Sequence, residues 1–167
     1  ILNTETNKSK VVLKGGFKSV TQQIDDVYPM LAWDPIGQKL AEIYEKRNKI
    51  KLLVYDFEAK KKKKTRSPIT KFQSVLSMSY MNPQTLLLSG VNKGQSDIYV
   101  FNIAGGGNEQ ITNDIFDDAN PHFLKNSDKI IFSSNRNSDS LQSSIKYKGT
   151  LSANKDLFIY NYKTKNN

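Results

Sequence analysis

Apolar residues in this chain fall in short alternating or continuous runs bounded by turn residues, and not at the 3.6-residue spacing of an amphipathic helix. Runs over residues 28–33, 39–44 and 50–57 are separated by Asp34-Pro35-Ile36-Gly37 and by Lys46-Arg47-Asn48, which predicts three strands joined by tight turns. The lysine run at 60–64 then reads as a hairpin tip, with a weaker fourth strand at Pro68-Ile69-Thr70. The same order returns over 75–80, 85–89, 97–103 and 109–112, with turns at Asn82-Pro83-Gln84, Asn92-Lys93-Gly94-Gln95 and Gly105-Gly106-Gly107. It begins again over 121–124 and 130–134 and finishes over 157–162. No core helix is predicted.

The recurrence is a true repeat. Asp25-Asp26-Val27-Tyr28-Pro29 is answered by Asp117-Asp118-Ala119-Asn120-Pro121 after 92 residues, which is twice 46. Lys51-Leu52-Leu53-Val54-Tyr55-Asp56 is answered by Asp97-Ile98-Tyr99-Val100-Phe101-Asn102 at a shift of 46. A third copy, Asp156-Leu157-Phe158-Ile159-Tyr160-Asn161, comes 59 residues later, and the surplus lies in the serine-bearing stretch 137–154, which is predicted to be an inserted loop. Antiparallel four-stranded units of this length are the blades of a β-propeller, whose sheets stack face to face around an axis.

The expected fold is therefore all-β, a partial propeller of about three and a half blades. Residues 1–24 are the end of a preceding blade, with strands at Ile1-Leu2-Asn3-Thr4 and Lys10-Val11-Val12-Leu13. Blades follow at 25–70, at 71–112 and at 113–167, the last carrying the inserted loop. Propellers typically close with about four to eight blades. An open arc leaves apolar strands uncovered at both ends, so the chain is expected to be part of a larger propeller.

Composition narrows the chemistry. With 167 residues, 37% of them apolar and 25% charged, a sizeable core is available to one domain. The longest apolar runs, such as Leu86-Leu87-Leu88 and Ile130-Ile131-Phe132, fall far short of the roughly 18 residues of a membrane-spanning helix. The absence of cysteine and the single histidine exclude a disulfide framework, thiolate catalysis and multi-histidine metal sites. Of the net charge of +9, six positive charges belong to Lys60, Lys61, Lys62, Lys63, Lys64 and Arg66, leaving +3 for the rest. One run makes the chain basic, without the continuous groove and stacking aromatics that nucleic-acid binding calls for. The run is read as solvated; the alternative is a contact with phosphate-bearing lipid, polyanionic glycan or an acidic partner.

The paired aspartates Asp25, Asp26, Asp117 and Asp118 are the most suggestive polar feature, because equivalent blade positions gather near the axis. They are read as satisfying backbone N–H groups in their own turns, with a calcium site as the alternative. Arg136 is expected to pair with Asp97 or Asp156. His122 is read as a hydrogen-bonded structural histidine and Trp33 as blade-to-blade core. Gly105-Gly106-Gly107 lacks the following helix and lysine of a phosphate loop and is read as a hairpin turn. No catalytic residue and no cofactor are assigned, since a serine triad would have to use His122 with no nucleophile elbow nearby.

The motif set resembles the TolB-type propeller repeat over nearly the whole chain. Trp33-Asp34-Pro35-Ile36-Gly37-Gln38-Lys39-Leu40-Ala41 is similar to that family's Trp-Ser-Pro-Asp-Gly-x-x-Ile-Ala, and Gln110-Ile111-Thr112-Asn113-Asp114 to its fourth strand. More narrowly, 134–141 resembles large TolB-related envelope proteins of Bacteroidetes-type bacteria. The resemblance implies a non-catalytic, protein-binding and scaffolding propeller, periplasmic or associated with the outer membrane, with protein partners in the bacterial envelope. The alternative it implies is the regulatory propeller of a prolyl-oligopeptidase-type serine peptidase, whose hydrolase domain with its Gly-x-Ser-x-Gly elbow lies outside these residues.

Overall fold

The computed structural model describes residues 1–13, 28–46, 49–59, 61–65, 68–137 and 154–165. After a short hairpin of β1 (Leu2–Asn3) and β2 (Lys8–Ser9), three antiparallel sheets follow in chain order. The first holds β3 (Met30–Trp33), β4 (Lys39–Glu45), β5 (Ile50–Asp56) and β6 (Lys61–Thr65). The second holds β7 (Ser74–Asn82), β8 (Thr85–Asn92), β9 (Gln95–Asn102) and β10 (Asn108–Gln110), and the third β11 (Asp118–Phe123), β12 (Lys129–Ser134) and β13 (Asp156–Asn161). Strands are adjacent in chain order within each sheet, as expected of a meander blade. Among the described residues the one helical element is a 3₁₀ turn at Pro68–Lys71, and no helix is long and apolar enough to cross a membrane.

Strand alternation builds the stack. Leu86 and Leu88 of β8 face the first sheet, where they meet Ala41, Ile43, Leu52 and Val54. Leu87 between them faces the third sheet and meets Ile130, Phe132 and Tyr160. One apolar triplet thus serves two seams, because successive side chains in a strand point to opposite faces. The β8–β9 hairpin turns on Lys93 and Gly94, both at positive φ (54° and 82°), between the paired Asn92 and Gln95; this is the two-residue turn that matches strand twist. Gly90 of β8 is required by a close approach: a Cβ there would lie 2.8 Å from the buried Phe72 ring, which itself packs 4.6 Å from Tyr99.

Some expectations need revision. The lysine run is not a hairpin tip: Lys61–Thr65 forms the fourth strand, with Asp56 opposite Lys61 and Leu52 opposite Thr65. The segment expected to be that strand is the 3₁₀ turn, which carries Ile69 and then Phe72 into the first seam. At the N-terminal end the second strand is Lys8–Ser9 rather than 10–13; beyond it Val12 buries against Tyr44, Leu53 and Tyr55. Strand β11 begins at Asp118, ahead of the expected Pro121, and carries a bulge between Ala119 and His122, with Asn120 at φ 53°.

The outer faces of the first and third sheets are only partly covered. Leu31 and Trp33 are exposed at one end of the stack, and Leu157 and Ile159 at the other, with Leu157 73% exposed. This is the partial propeller anticipated from the repeat.

Candidate functional site

The first strands of the three sheets, β3, β7 and β11, come together along one side of the stack. Side-chain hydroxyls stitch them. The Ser79 hydroxyl donates to the Pro121 carbonyl at 2.5 Å, Ser89 donates to the Asp118 carbonyl at 2.7 Å, and the Asn120 N–H donates to Ser77 at 2.9 Å. On the other flank the Val75 N–H donates to the Tyr28 hydroxyl at 2.9 Å. Between these strands lies a recess of about 330 Å³, lined by Trp33, Pro35, Met78, Ser79, Tyr80 and His122 among others.

Trp33 is 52% exposed and stacks on Phe57 with centroids 5.0 Å apart. It is not core between blades as expected, because β3 places it on the outer face of its sheet, opposite Leu40. His122 is exposed, and among the described residues its side chain makes no hydrogen bond, unlike the hydrogen-bonded structural histidine expected. Beneath them, Tyr80 is buried with a hydroxyl that has no hydrogen-bond partner among the described residues. Burial, and next the charge of Asp34, push its pKa upward, so the group is a neutral O–H. Asp34 sits in the turn after Trp33, accepting the Lys39 N–H at 2.8 Å through one oxygen while its other oxygen is buried and unmatched among the described residues. Unmatched buried polar atoms are uncommon in folded proteins. An aromatic plate, an imidazole and a free hydroxyl at one concavity suit an apolar or aromatic segment that carries a hydrogen-bonding group.

A second polar constellation lies between the second and third sheets. Arg136 extends one nitrogen to both oxygens of Asp118 (2.9 and 2.7 Å) and to Asp114 at 3.1 Å, while its Nε donates to Ser134 at 2.9 Å. The rings of Phe116, Phe132 and Phe158 stand 5.5 to 5.6 Å from its guanidinium carbon. Asp97 lies close by, accepting from Gln110 at 3.0 Å and Thr112 at 3.4 Å. Burial, with the charges of Asp118 and Asp114, lifts its pKa to about 7. Burial also raises Asp114.

The carboxylates that Arg136 engages are thus Asp118 and Asp114, not Asp97 or Asp156; Asp156 is exposed at the start of β13. In the sequence Asp114 stands only within the fourth-strand motif at 110–114, and its spacing from Asp117 and Asp118 in the linker between blades is the signal for its pairing role. Of the four aspartates considered for calcium, Asp25 and Asp26 lie outside the described residues. Asp118 is held by Arg136, and Asp117 accepts from the Ser96 N–H and hydroxyl at 3.3 and 3.2 Å. Among the described residues no group of three or more metal-ligating side chains is placed to hold an ion. Gly105 and Gly106 form the β9–β10 turn, where the Asn102 side chain accepts from Gly105 N–H at 2.8 Å.

Neither a family model nor a curated protein matches this sequence. Solved structures do. The TolB of Acinetobacter baumannii aligns with a TM-score of 0.62 at 12% identity, over 98% of this chain and 35% of its own. The putative TolB of Agrobacterium tumefaciens aligns with a TM-score of 0.57 at 14% identity, over 78% of this chain and 44% of its own. The fold is that of a TolB-type β-propeller. A looser likeness, TM-score 0.48 at 15% identity, is to the β-propeller domain of the Trilobed protease of Pyrococcus furiosus. The chain spans less than half the length of either TolB structure, and these likenesses carry fold alone.

Proposed function

We propose that this TolB-type propeller is a non-catalytic protein-binding and scaffolding module of a TolB-like cell-envelope protein, periplasmic or outer-membrane-associated, and that the recess between β3, β7 and β11 receives a segment of its partner. The reading takes the blades at 25–70, 71–112 and 113–167, with 1–24 completing a preceding blade, as one binding scaffold without a cofactor. The observation that carries it is the recess: an exposed Trp33 and His122 over the unmatched Tyr80 hydroxyl. Tryptophan and tyrosine in such a setting are typical anchors of protein contacts.

Trp33 is the single tryptophan of the chain, so it reports on its own site. Titration with candidate envelope partners, followed by Trp33 emission and iodide quenching, should show a blue shift and protection. Trp33→Ala should weaken binding by at least tenfold, on the order of 1.4 kcal/mol, while leaving the fold intact. Partners that bind without moving Trp33 emission, and equally well to Trp33→Ala, would place the contact elsewhere and defeat the proposal.

A further inference from the structure

Charge in this chain is concentrated in one segment. Residues 28–71 hold 12 basic and 5 acidic side chains, a surplus of +7 within the net +9. Lys61–Thr65 supplies much of that surplus as β6, the edge strand of the first sheet and the strand farthest in sheet order from β3 at the recess. Among the described residues no strand pairs with its outer edge.

Successive strand positions alternate between the faces of a sheet. Lys61 and Lys63 therefore occupy one face register and Lys62 and Lys64 the other. The residues opposite the four are Asp56, Tyr55, Val54 and Leu53, so only one cross-strand position is acidic. An isolated lysine suffices to discourage a further strand from pairing with an edge. Four in succession, three of them opposite uncharged residues, exceed that need.

We propose that β6 is a contact strand for an anionic lipid surface. A run of four lysines within one short edge strand needs no preformed pocket, because headgroups in a fluid leaflet can gather along it. Lysine engages phosphate as a compact point charge rather than through the planar fork with which arginine reads a fixed carboxylate geometry, so a run of lysine favours mobile headgroups over an acidic protein partner. Clusters of about four to eight basic residues are what draws proteins to anionic leaflets. The strand lies at the opposite edge of its sheet from the recess, so the contact is independent of partner binding there.

Flotation of the full-length protein with vesicles tests this. Vesicles of mixed phosphatidylcholine and phosphatidylglycerol should carry the protein, and vesicles of phosphatidylcholine alone should not. Joint replacement Lys61→Gln, Lys62→Gln, Lys63→Gln and Lys64→Gln should lower partitioning by about a hundredfold or more. The corresponding four Lys→Arg changes should preserve it. Raising salt from about 0.1 M to about 1 M, which shortens the screening length from about 10 Å to about 3 Å, should release the wild type. Equal flotation with neutral vesicles, salt-resistant binding, or unchanged partitioning of the glutamine variant would overturn the proposal. Retention on heparin without flotation would also overturn it, in favour of a soluble polyanion.

Discussion

The seam between the first and second sheets and the seam between the second and third are held by different forces. In the first, Ala41, Ile43, Leu52 and Val54 meet Leu86, Leu88, Tyr99 and Phe101, with Ile69 and Phe72 closing one end. In the second, a smaller group of Leu87, Ile98, Ile130, Phe132 and Tyr160 is joined by Asp97, Asp114, Asp118 and Arg136, all buried. Apolar contact is non-directional and scales with area, at about 25 cal/mol per Å². The ionic seam balances an attraction against the cost of removing four charges from water, and its net contribution is small until one partner is taken away. The first seam is therefore insensitive to pH where the second is not, and the second fixes which groups face each other.

Removing the one cation should separate the two most clearly. Arg136→Met keeps most of the volume among Phe116, Phe132 and Phe158 but strands Asp114 and Asp118. Loss of one member of a buried pair typically costs about 3–5 kcal/mol, and urea unfolding at neutral pH should show a loss of that size. The deficit should shrink as pH falls, since protonation removes the stranded charges. A loss that is the same at all pH values would mean that Arg136 serves by bulk alone.

The apolar seam should respond differently. Leu88→Ala leaves a cavity between fully buried neighbours, and such truncations cost about 3 kcal/mol or somewhat more. The loss should be the same at acid and neutral pH, because Leu88 lies in an apolar cluster with Leu52, Val54 and Phe101. A pH-dependent loss would show that the two seams are coupled through β8.

This contrast also explains what the sequence made legible. The Leu86-Leu87-Leu88 triplet, the turn at Asn92-Lys93-Gly94-Gln95 and the repeat of 46 residues each follow from local alternation and turn chemistry, and they predict the sheets of the first and second units closely. The ionic seam joins a linker, two strand ends and a residue after β12, and no local period marks such a meeting. An ion pair for Arg136 is legible in the sequence, but its partners depend on the linker path through Asp114 and Phe116, where Asp114 accepts the Phe116 N–H at 2.9 Å. The recess was hidden for a similar reason: Trp33 and His122 both lie in apolar-looking strands, and only the stacking order shows which face remains open. A run of lysine does not look like a strand either, yet the free edge of β5 supplies the pairing that composition alone would not suggest.

A titration is the finest probe of the ionic seam. Asp97 titrates near 7 in the folded protein, chiefly because it is buried and then because Asp118 and Asp114 are near, against about 3.9 in an unfolded chain. Below about 3.9 both states hold the proton, and Asp97 favours the fold most. Between that value and about 7 the unfolded chain releases its proton while the folded one keeps it, so stability falls as pH rises; above about 7 the loss is complete. Asp97→Asn cannot ionise and escapes this loss. It also has a single acceptor oxygen where Asp97 takes bonds from both Gln110 and Thr112, which costs about 0.5–1 kcal/mol. The two profiles should therefore cross. The variant should be slightly less stable than wild type near pH 3.5 and more stable by about 0.5–1 kcal/mol at pH 5, with the gain growing toward pH 7, as read from urea midpoints across that range. Parallel profiles would show that Asp97 does not carry the seam's pH dependence, and would assign it to Asp114, the other carboxyl that burial raises.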